Sequence, residues 1–363
     1  MFKILIVDYI GNSNSEGVPI GHPTKVINEF GEILKNDVEL NLAVPVNYKN
    51  YIKKNNFYSV KYLRYNIDIT EKRKVLRIKN VFRKFKNIRM ALKNSNFDVV
   101  WFINVDSILG ISLLSKSLFY SNVGRIWITT YLDNYFDGNT VKDLVKNFFW
   151  KNMQKKCDTI LSSCKKLNFN DKVIFIPDYI YEENIYNKYK NAPKTDQVIC
   201  IGTMNDGKDL EGIICLFNKL NVKLKIIGNF YNKDMYKSLI EMANSNIIIE
   251  DKIQSYYEYY KSIAESKFVI IPYKKEFYQN RTSGVLQETM FLNSIPIAPD
   301  FLLKFNNVKG IGYNKLFDLK NFFESGEYKK VKQPNNDFSS INNPYNKACI
   351  KNKLINILCK DDI

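Results

Sequence analysis

Short apolar strands alternating with helical stretches predict an α/β protein made of two doubly wound, largely parallel sheets. Three observations carry this. Apolar, β-rich runs recur along the chain, bounded by polar or glycine-bearing turns and separated by helical stretches. The pattern halts in a polar segment near the middle and then restarts. The chain's 363 residues also exceed the roughly 100–200 of an ordinary domain.

The elements follow in order. Lys3–Val7 is the first predicted strand; MFKILIVDYIGN has one Lys before Asp8, which suits a strand and not a signal peptide. A polar loop over 8–22 holds Gly11, Gly17, Gly21 and His22. A helix is expected over 23–35, with Pro23 in the first turn, where its missing N–H costs nothing. Strands follow at 39–44, 98–105 (DVVWFINV), 125–130 (RIWITT), 159–162 and 173–176, completing an N-terminal domain over 1–180. The polar stretch 181–196, with Pro193, reads as a linker. A second domain over 197–343 opens with strand 197–201, loop 202–208 and helix 210–220. It continues through strands 223–227, 247–250, 268–271 and 295–298, with a helix over 256–265. The tail, 344–363, carries a last helix at 344–358. Ligands of such sheets sit at the carboxyl ends of the strands, here in a crevice expected to face the other domain.

Composition narrows the function. A hydrophobic share of 45% excludes wholesale disorder. No run approaches the roughly 18 apolar residues of a spanning helix. Six cysteines, Cys157, Cys164, Cys200, Cys215, Cys349 and Cys359, show neither a CxxC pair nor a disulfide framework, and read as buried free thiols of a reducing compartment. One histidine, His22, excludes a multi-His metal site. The net charge of +17 calls for an anionic partner: nucleic acid, anionic lipid or a phosphorylated substrate.

The most informative stretch is residues 268–300, FVIIPYKKEFYQNRTSGVLQETMFLNSIPIAPD. It reads as a buried strand, a polar loop with Arg281-Thr282-Ser283-Gly284, a helix over 285–292 and a second strand. Backbone N–H groups at the helix start and the helix dipole favour an anion. Gly284 lets backbone approach a ligand, and Arg281 supplies a fixed-charge fork for phosphate. Glu288, one turn on, can accept from hydroxyls such as those of a ribose. Phosphate donors beside one carboxylate suggest a nucleotide-sugar site; a plain parallel crossover shares the apolar elements but does not need the Arg-Thr-Ser-Gly run.

The order VICIGTMNDGKDLEG, LKIIGNF, YYEYYKSIAESKFVIIPY and RTSGVLQETMFLNSIPIAP resembles the donor domain of GT-B glycosyltransferases of the family 4-like (group 1) type. Weaker echoes in the first half are the glycine-bearing loop, ITTYLDN, CDTILSSCKKL and IFIPDYI. The resemblance implies a GT-B fold, two facing Rossmann-like domains with a central cleft, the donor held mainly by the second. The last helix is expected to cross back onto the first. By the same resemblance, Gly202 and Lys208 match the loop that holds the donor diphosphate, and Ser283, Gly284 and Val285 the phosphate cradle. Glu288 matches the second glutamate of the E-x7-E signature, which binds the donor ribose. Thr203, Asn229, Ile253 and Thr282 fall in the same donor set. Two departures stand out: Thr203 replaces a basic residue whose charge Arg281 supplies, and Asn280 stands where the signature has its first glutamate.

The chemistry so implied is retaining glycosyl transfer by same-face attack assisted by the leaving phosphate. Lys208, Arg281 and the helix-start N–H groups neutralise the departing diphosphate. No metal and no cofactor beyond the nucleotide-sugar substrate is expected, since no Asp-x-Asp pair ends an apolar strand. Lys208 also reads as a solvated turn lysine, His22 as a turn cap and Asp133 as a surface-loop acid. The functional alternatives give His22 and Asp133 acceptor-side catalytic work, with Gly21, Asn104 and Asp106 beside them.

Ten basic residues between Lys72 and Lys93 interleave with apolar ones, those at 78, 81, 82, 85 and 88 at helical spacing. This basic amphipathic helix reads as attracted to anionic lipid, or as a solvated face packed into the first domain. The leading expectation is therefore a cytoplasmic enzyme, peripheral on the plasma membrane. It would transfer sugar to a glycan or lipid-linked acceptor in surface polysaccharide biosynthesis, without nucleic acid. The alternatives are a GT-B-fold sugar-nucleotide epimerase, an inactive glycosyltransferase-like subunit and a basic nucleic-acid-binding protein.

Overall fold

Apolar runs buried on both faces form the interior strands of parallel sheets, and such runs lie where the alternation places them. The computed structural model describes residues 1–13, 17–19, 23–68, 73–93, 96–114, 123–130, 140–163, 172–189, 191–279, 281–334 and 336–360. Of the expected site residues, Gly21, His22, Asp133 and Asn280 lie outside these, as does Cys164. The chain divides into two compact units, Met1–Asp178 with Lys347–Ile363, and Tyr179–Asn346.

In the first unit the strands are β1 (Lys3–Val7), β2 (Asn12–Ser13), β3 (Glu39–Pro45), β4 (Ser59–Leu63), β5 (Ile67–Asp68), β6 (Phe97–Phe102), β7 (Val123–Thr130), β8 (Thr159–Ser162) and β9 (Val173–Phe175). Seven of them form a parallel sheet in the order β4-β3-β1-β6-β7-β8-β9, while β2 and β5 pair separately. Val7 stands opposite both Ala43 and Phe102, so β1 lies at the point where the strand order reverses. Helix α1 (Pro23–Leu34) buries Val26, Ile27, Phe30, Ile33 and Leu34. Helices α2 (Lys74–Leu92), α3 (Ser107–Leu114) and α4 (Val141–Lys156) share one core with the sheet, through Ile88, Leu109 and Trp150 against Val7, Phe102 and Ile128.

The stripe expected along α2 is divided. Ile88 is buried and Val81 and Phe85 pack against the core, but Ile78 and Phe82 face solvent with Val75 on an i, i+3, i+7 line. The C-terminal helix, Lys347–Cys359, buries Ile350, Leu354 and Leu358 in the first unit. Arg125 donates to the carbonyls of Ile357 and Leu358 at 3.4 and 3.1 Å, and Lys351 pairs with Asp37 at 2.7 Å.

In the second unit β10 (Thr195–Ile201), β11 (Leu224–Gly228), β12 (Ile247–Asp251), β13 (Ser266–Ile270), β14 (Ile295–Pro299) and β15 (Ile311–Tyr313) form a parallel sheet ordered β12-β11-β10-β13-β14-β15. Strand alternation sends Val198, Cys200, Ile226 and Phe268 into one core, with Ile213, Phe217 and Leu239. Ile199, Ile201, Ile227 and Val269 enter the opposite one, with Ile263, Leu286 and Phe291. Burying each such side chain stabilises the unit by roughly 1.5–3 kcal/mol. The stretch expected as a linker is packed: Tyr181 and Tyr186 are buried and stacked at 5.3 Å. Cys157 and Cys200 are buried thiols as expected, whereas Cys215 and Cys359 are exposed, because each faces outward from its helix.

Candidate functional site

The order of the second sheet reverses between β10 and β13, and two loops leave those strand ends side by side. The first begins at Gly202, whose φ of +100° suits glycine alone. Gly228, ending β11, presses against it: a Cβ there would lie 1.7 Å from the Gly202 carbonyl oxygen. Past Gly202 the chain pairs across to the β13 loop, Asp209 N–H donating to Pro272 at 2.7 Å and Lys274 N–H to Gly207 at 2.9 Å. Helix α5 (Leu210–Phe217), capped by Asp209, then carries the chain away.

This pairing folds Lys208 inward. Its side chain is only 5% exposed, so the solvated-turn alternative does not hold. Nζ donates to the Ile201 carbonyl at 3.0 Å, lies 3.7 Å from Met204 Sδ and sits 5.8 Å from the centre of the Tyr273 ring. Among the described residues no carboxylate is within ion-pair distance, and burial pushes the ammonium pKa down. A buried ammonium without an anion is costly unless one arrives. The space over Gly202 is bounded by Lys208 Nζ and Val285 Cγ2, which a Cβ on that glycine would meet at 3.9 and 3.6 Å.

The second loop passes Tyr273, stacked on Tyr278 at 3.7 Å, and reaches the helix Gly284–Phe291. Ser283 caps it, Oγ accepting from Leu286 N–H at 3.3 Å. Its own N–H, expected in the phosphate cradle, is taken: it donates to Asn306 Oδ1 at 3.2 Å. Asn306 in turn donates to the Leu302 and Arg281 carbonyls at 2.9 and 3.4 Å. The N–H groups of Gly284 and Val285 are therefore the ones left without protein partners among the described residues. The need for glycine at 284 also has another cause than ligand approach. A Cβ would fall 2.2–2.5 Å from atoms of the Tyr179 ring.

Glu288, buried on the next turn, accepts a hydrogen bond from Tyr259 Oη at 2.8 Å. Burial and the neighbouring carboxylate push that phenol well above its usual pKa, so Tyr259 stays a donor. Tyr259 carries no signal of this role in the sequence: its position in YYEYY marks it only as an aromatic of a helix face. Arg281 is exposed and lies between Tyr278, whose carbonyl its N–H meets at 3.3 Å, and Ser283. Thr203 is exposed, Thr282 half-buried, and Asn229 holds the loop by accepting from Met204 N–H at 2.9 Å. Ile253, just past β12, is 78% exposed. Among the described residues no group of three or more His, Cys, Asp or Glu could hold a metal ion.

In the first unit the acceptor-side candidates stand past β6. Asp106 accepts from Tyr9 Oη, Lys84 Nζ and Ile108 N–H at 2.7, 2.7 and 3.0 Å, a set that anchors α2 and α3 to the sheet. Asn104 keeps a buried Nδ2 with no hydrogen-bond partner.

No family model matches the chain, and no curated protein does. Solved structures do, along nearly all of it. Sucrose-phosphate synthase from Thermosynechococcus elongatus shares 10% identity and a TM-score of 0.65 over 98% of this chain and 97% of that one. The catalytic domain of starch synthase IV from Arabidopsis thaliana, solved with ADP and acarbose, shares 12% and 0.61 over 96% and 95%. A putative UDP-N-acetylglucosamine 2-epimerase from Listeria monocytogenes shares 10% and 0.58 over 98% and 95%. The fold is GT-B, two Rossmann-like units in one chain. At such identities the likeness fixes fold and leaves chemistry to the site.

Proposed function

We propose that the protein is a retaining, metal-independent glycosyltransferase. It moves a sugar from a nucleotide-sugar donor to a glycan or lipid-linked acceptor in surface polysaccharide biosynthesis, at the cytoplasmic face of the membrane. One observation carries the donor assignment: Lys208 is buried at the strand-order reversal beside Val285, and among the described residues its ammonium has no carboxylate partner and the N–H groups of Gly284 and Val285 have no acceptor. An ammonium and helix-start amides in one corner suit a pyrophosphate. The Tyr259 hydroxyl would orient Glu288 toward a ribose hydroxyl.

In the proposed reaction the bond from the sugar's anomeric carbon to the donor phosphate oxygen breaks, its electron pair leaving with the nucleoside diphosphate. An acceptor hydroxyl attacks the same face, and its proton passes to that phosphate oxygen. Lys208 and the amides stabilise the charge that grows there, and exposed Arg281 adds to it from the rim.

Lys208→Met tests this. Losing a charge-assisted contact of about 1.5–3 kcal/mol should weaken nucleoside diphosphate binding by roughly 10- to 100-fold. The same change removes a buried charge that no carboxylate among the described residues pairs, so unliganded protein should melt no lower than wild type. Thermal shift with UDP, GDP and ADP reads both. Undiminished binding overturns the donor site; a melting point well below wild type would mark Lys208 as structural. The epimerase reading instead expects interconversion of a sugar nucleotide with no acceptor present.

A further inference from the structure

Helix α4 carries an apolar line that faces outward. Val141, Leu144, Val145 and Phe148 follow i, i+3, i+4, i+7 spacing and are 50% to 77% exposed. Its inward side is satisfied elsewhere, through buried Trp150 and Met153 and through Asn152, which donates to the Gly110 carbonyl at 2.9 Å. The outward line of α2, Val75, Ile78 and Phe82, is 59% to 76% exposed. Single exposed apolar residues need no explanation, but two helical lines in one layer do.

The two lines belong to one surface. Both helices pack on the same face of the first sheet, and α3 contacts each of them. Both connect parallel strands, so both begin at the carboxyl edge of that sheet and run back. Their apolar halves therefore share that edge, where Asn104 and Asp106 also stand past the end of β6. Toward the other end each line turns cationic: Lys86 and Arg89 continue it on α2, and Lys151, Lys155 and Lys156 on α4, all exposed. Helix α2 contains no acidic residue. Helix α4 contains one, Asp143, which Thr140 and Lys146 engage.

We infer that the amino-terminal halves of α2 and α4 form one insertion edge for an anionic bilayer. The apolar side chains enter the interfacial layer, and the cations of the following turns meet lipid phosphates. Apolar lines continued by lysine and arginine match this boundary, whereas a protein partner would have to supply acidic groups against the cationic stretches of both helices. The inference rests on the lipid-linked acceptor of the proposed function and assigns α4, beyond the basic helix alone, to reaching it.

Flotation of the full chain with phosphatidylglycerol–phosphatidylcholine vesicles, and with phosphatidylcholine alone, tests it. Wild type should float with the anionic vesicles. Leu144→Glu/Phe148→Glu and Ile78→Glu/Phe82→Glu should each lower recovery by about tenfold, since apolar area and surface charge both contribute. Lys151→Gln/Lys155→Gln, which leaves the apolar line intact, should lower it less and only on anionic vesicles. No recovery of wild type, or full recovery of the α4 variant, overturns the proposal. So does a wild-type dimer in sedimentation that the α4 variant dissociates, which would make the face a self-association surface. UDP binding, measured alongside, should be unchanged in all variants; its absence in wild type would count against the donor site and not against this edge.

Discussion

At Gly284 one missing methyl group decides local geometry. The Tyr179 ring occupies the place where any side chain would begin, and Ser283 before it is fixed by Asn306. Gly284→Ala should cost about 1–3 kcal/mol of stability, the range for overpacking a filled site. In a Tyr179→Ala background the same alanine should cost far less, because the two positions share one volume. Urea unfolding of the four proteins closes this cycle; equal costs in both backgrounds would show that the clash is relieved by backbone movement. Residue type alone pointed to Gly284, Lys208 and Glu288, but not to what surrounds them. The burial of Lys208 follows from pairing between loops some 65 residues apart in sequence, across a switch point that no local pattern reveals. Tyr179 and Tyr259 reach the site from distant elements for the same reason.

Between elements, Lys194 performs a task that a linker reading conceals. Its ammonium donates to the carbonyls of Ala264 and Leu292, at the carboxyl ends of helices Tyr256–Ala264 and Gly284–Phe291, and to Ser294 Oγ, at 2.7, 2.9 and 2.8 Å. It thereby ties together the two helices that bring Tyr259 to Glu288. Burial pushes its pKa down to about 8 from 10.5. Between those values the unfolded chain holds a proton that the folded protein has released, so this residue's contribution to stability rises with pH. Urea midpoints at pH 7.5 and 10 should differ by an increment that Lys194→Met removes; an equal pH response in the variant would assign the effect to other groups. Interior strands were legible because burial on both faces leaves an unbroken apolar run. Edge strands β4 and β15 carry no such signal, since SVKYL is exposed along one side and IGY is too short to hold a pattern. Helical spacing marks α2 as an element but does not separate its outward line, Val75, Ile78 and Phe82, from its inward one, Val81, Phe85 and Ile88.

On the scale of the whole molecule, the second unit is an insertion whose two ends meet. The chain leaves the first unit after Asp178 and returns at Lys347. Just inside that span Tyr181 N–H donates to the Tyr345 carbonyl at 2.9 Å, and Tyr181, Phe291, Phe338 and Tyr345 pack as one aromatic cluster. A unit with cores on both faces of its sheet and closed ends meets the conditions for folding alone. Residues 179–346, expressed by themselves, should unfold cooperatively and keep the donor corner, since Gly202, Lys208, Gly284, Glu288, Tyr179 and Tyr259 all lie within them. Saturating nucleoside diphosphate at 100 times its dissociation constant should then add about 2.7 kcal/mol. For a unit of this size that is a rise of roughly 5–11 °C in melting temperature. A cooperative fragment that gives no shift, beside a full chain that does, would mean that the first unit contributes donor contacts; no shift in either would remove the diphosphate site itself.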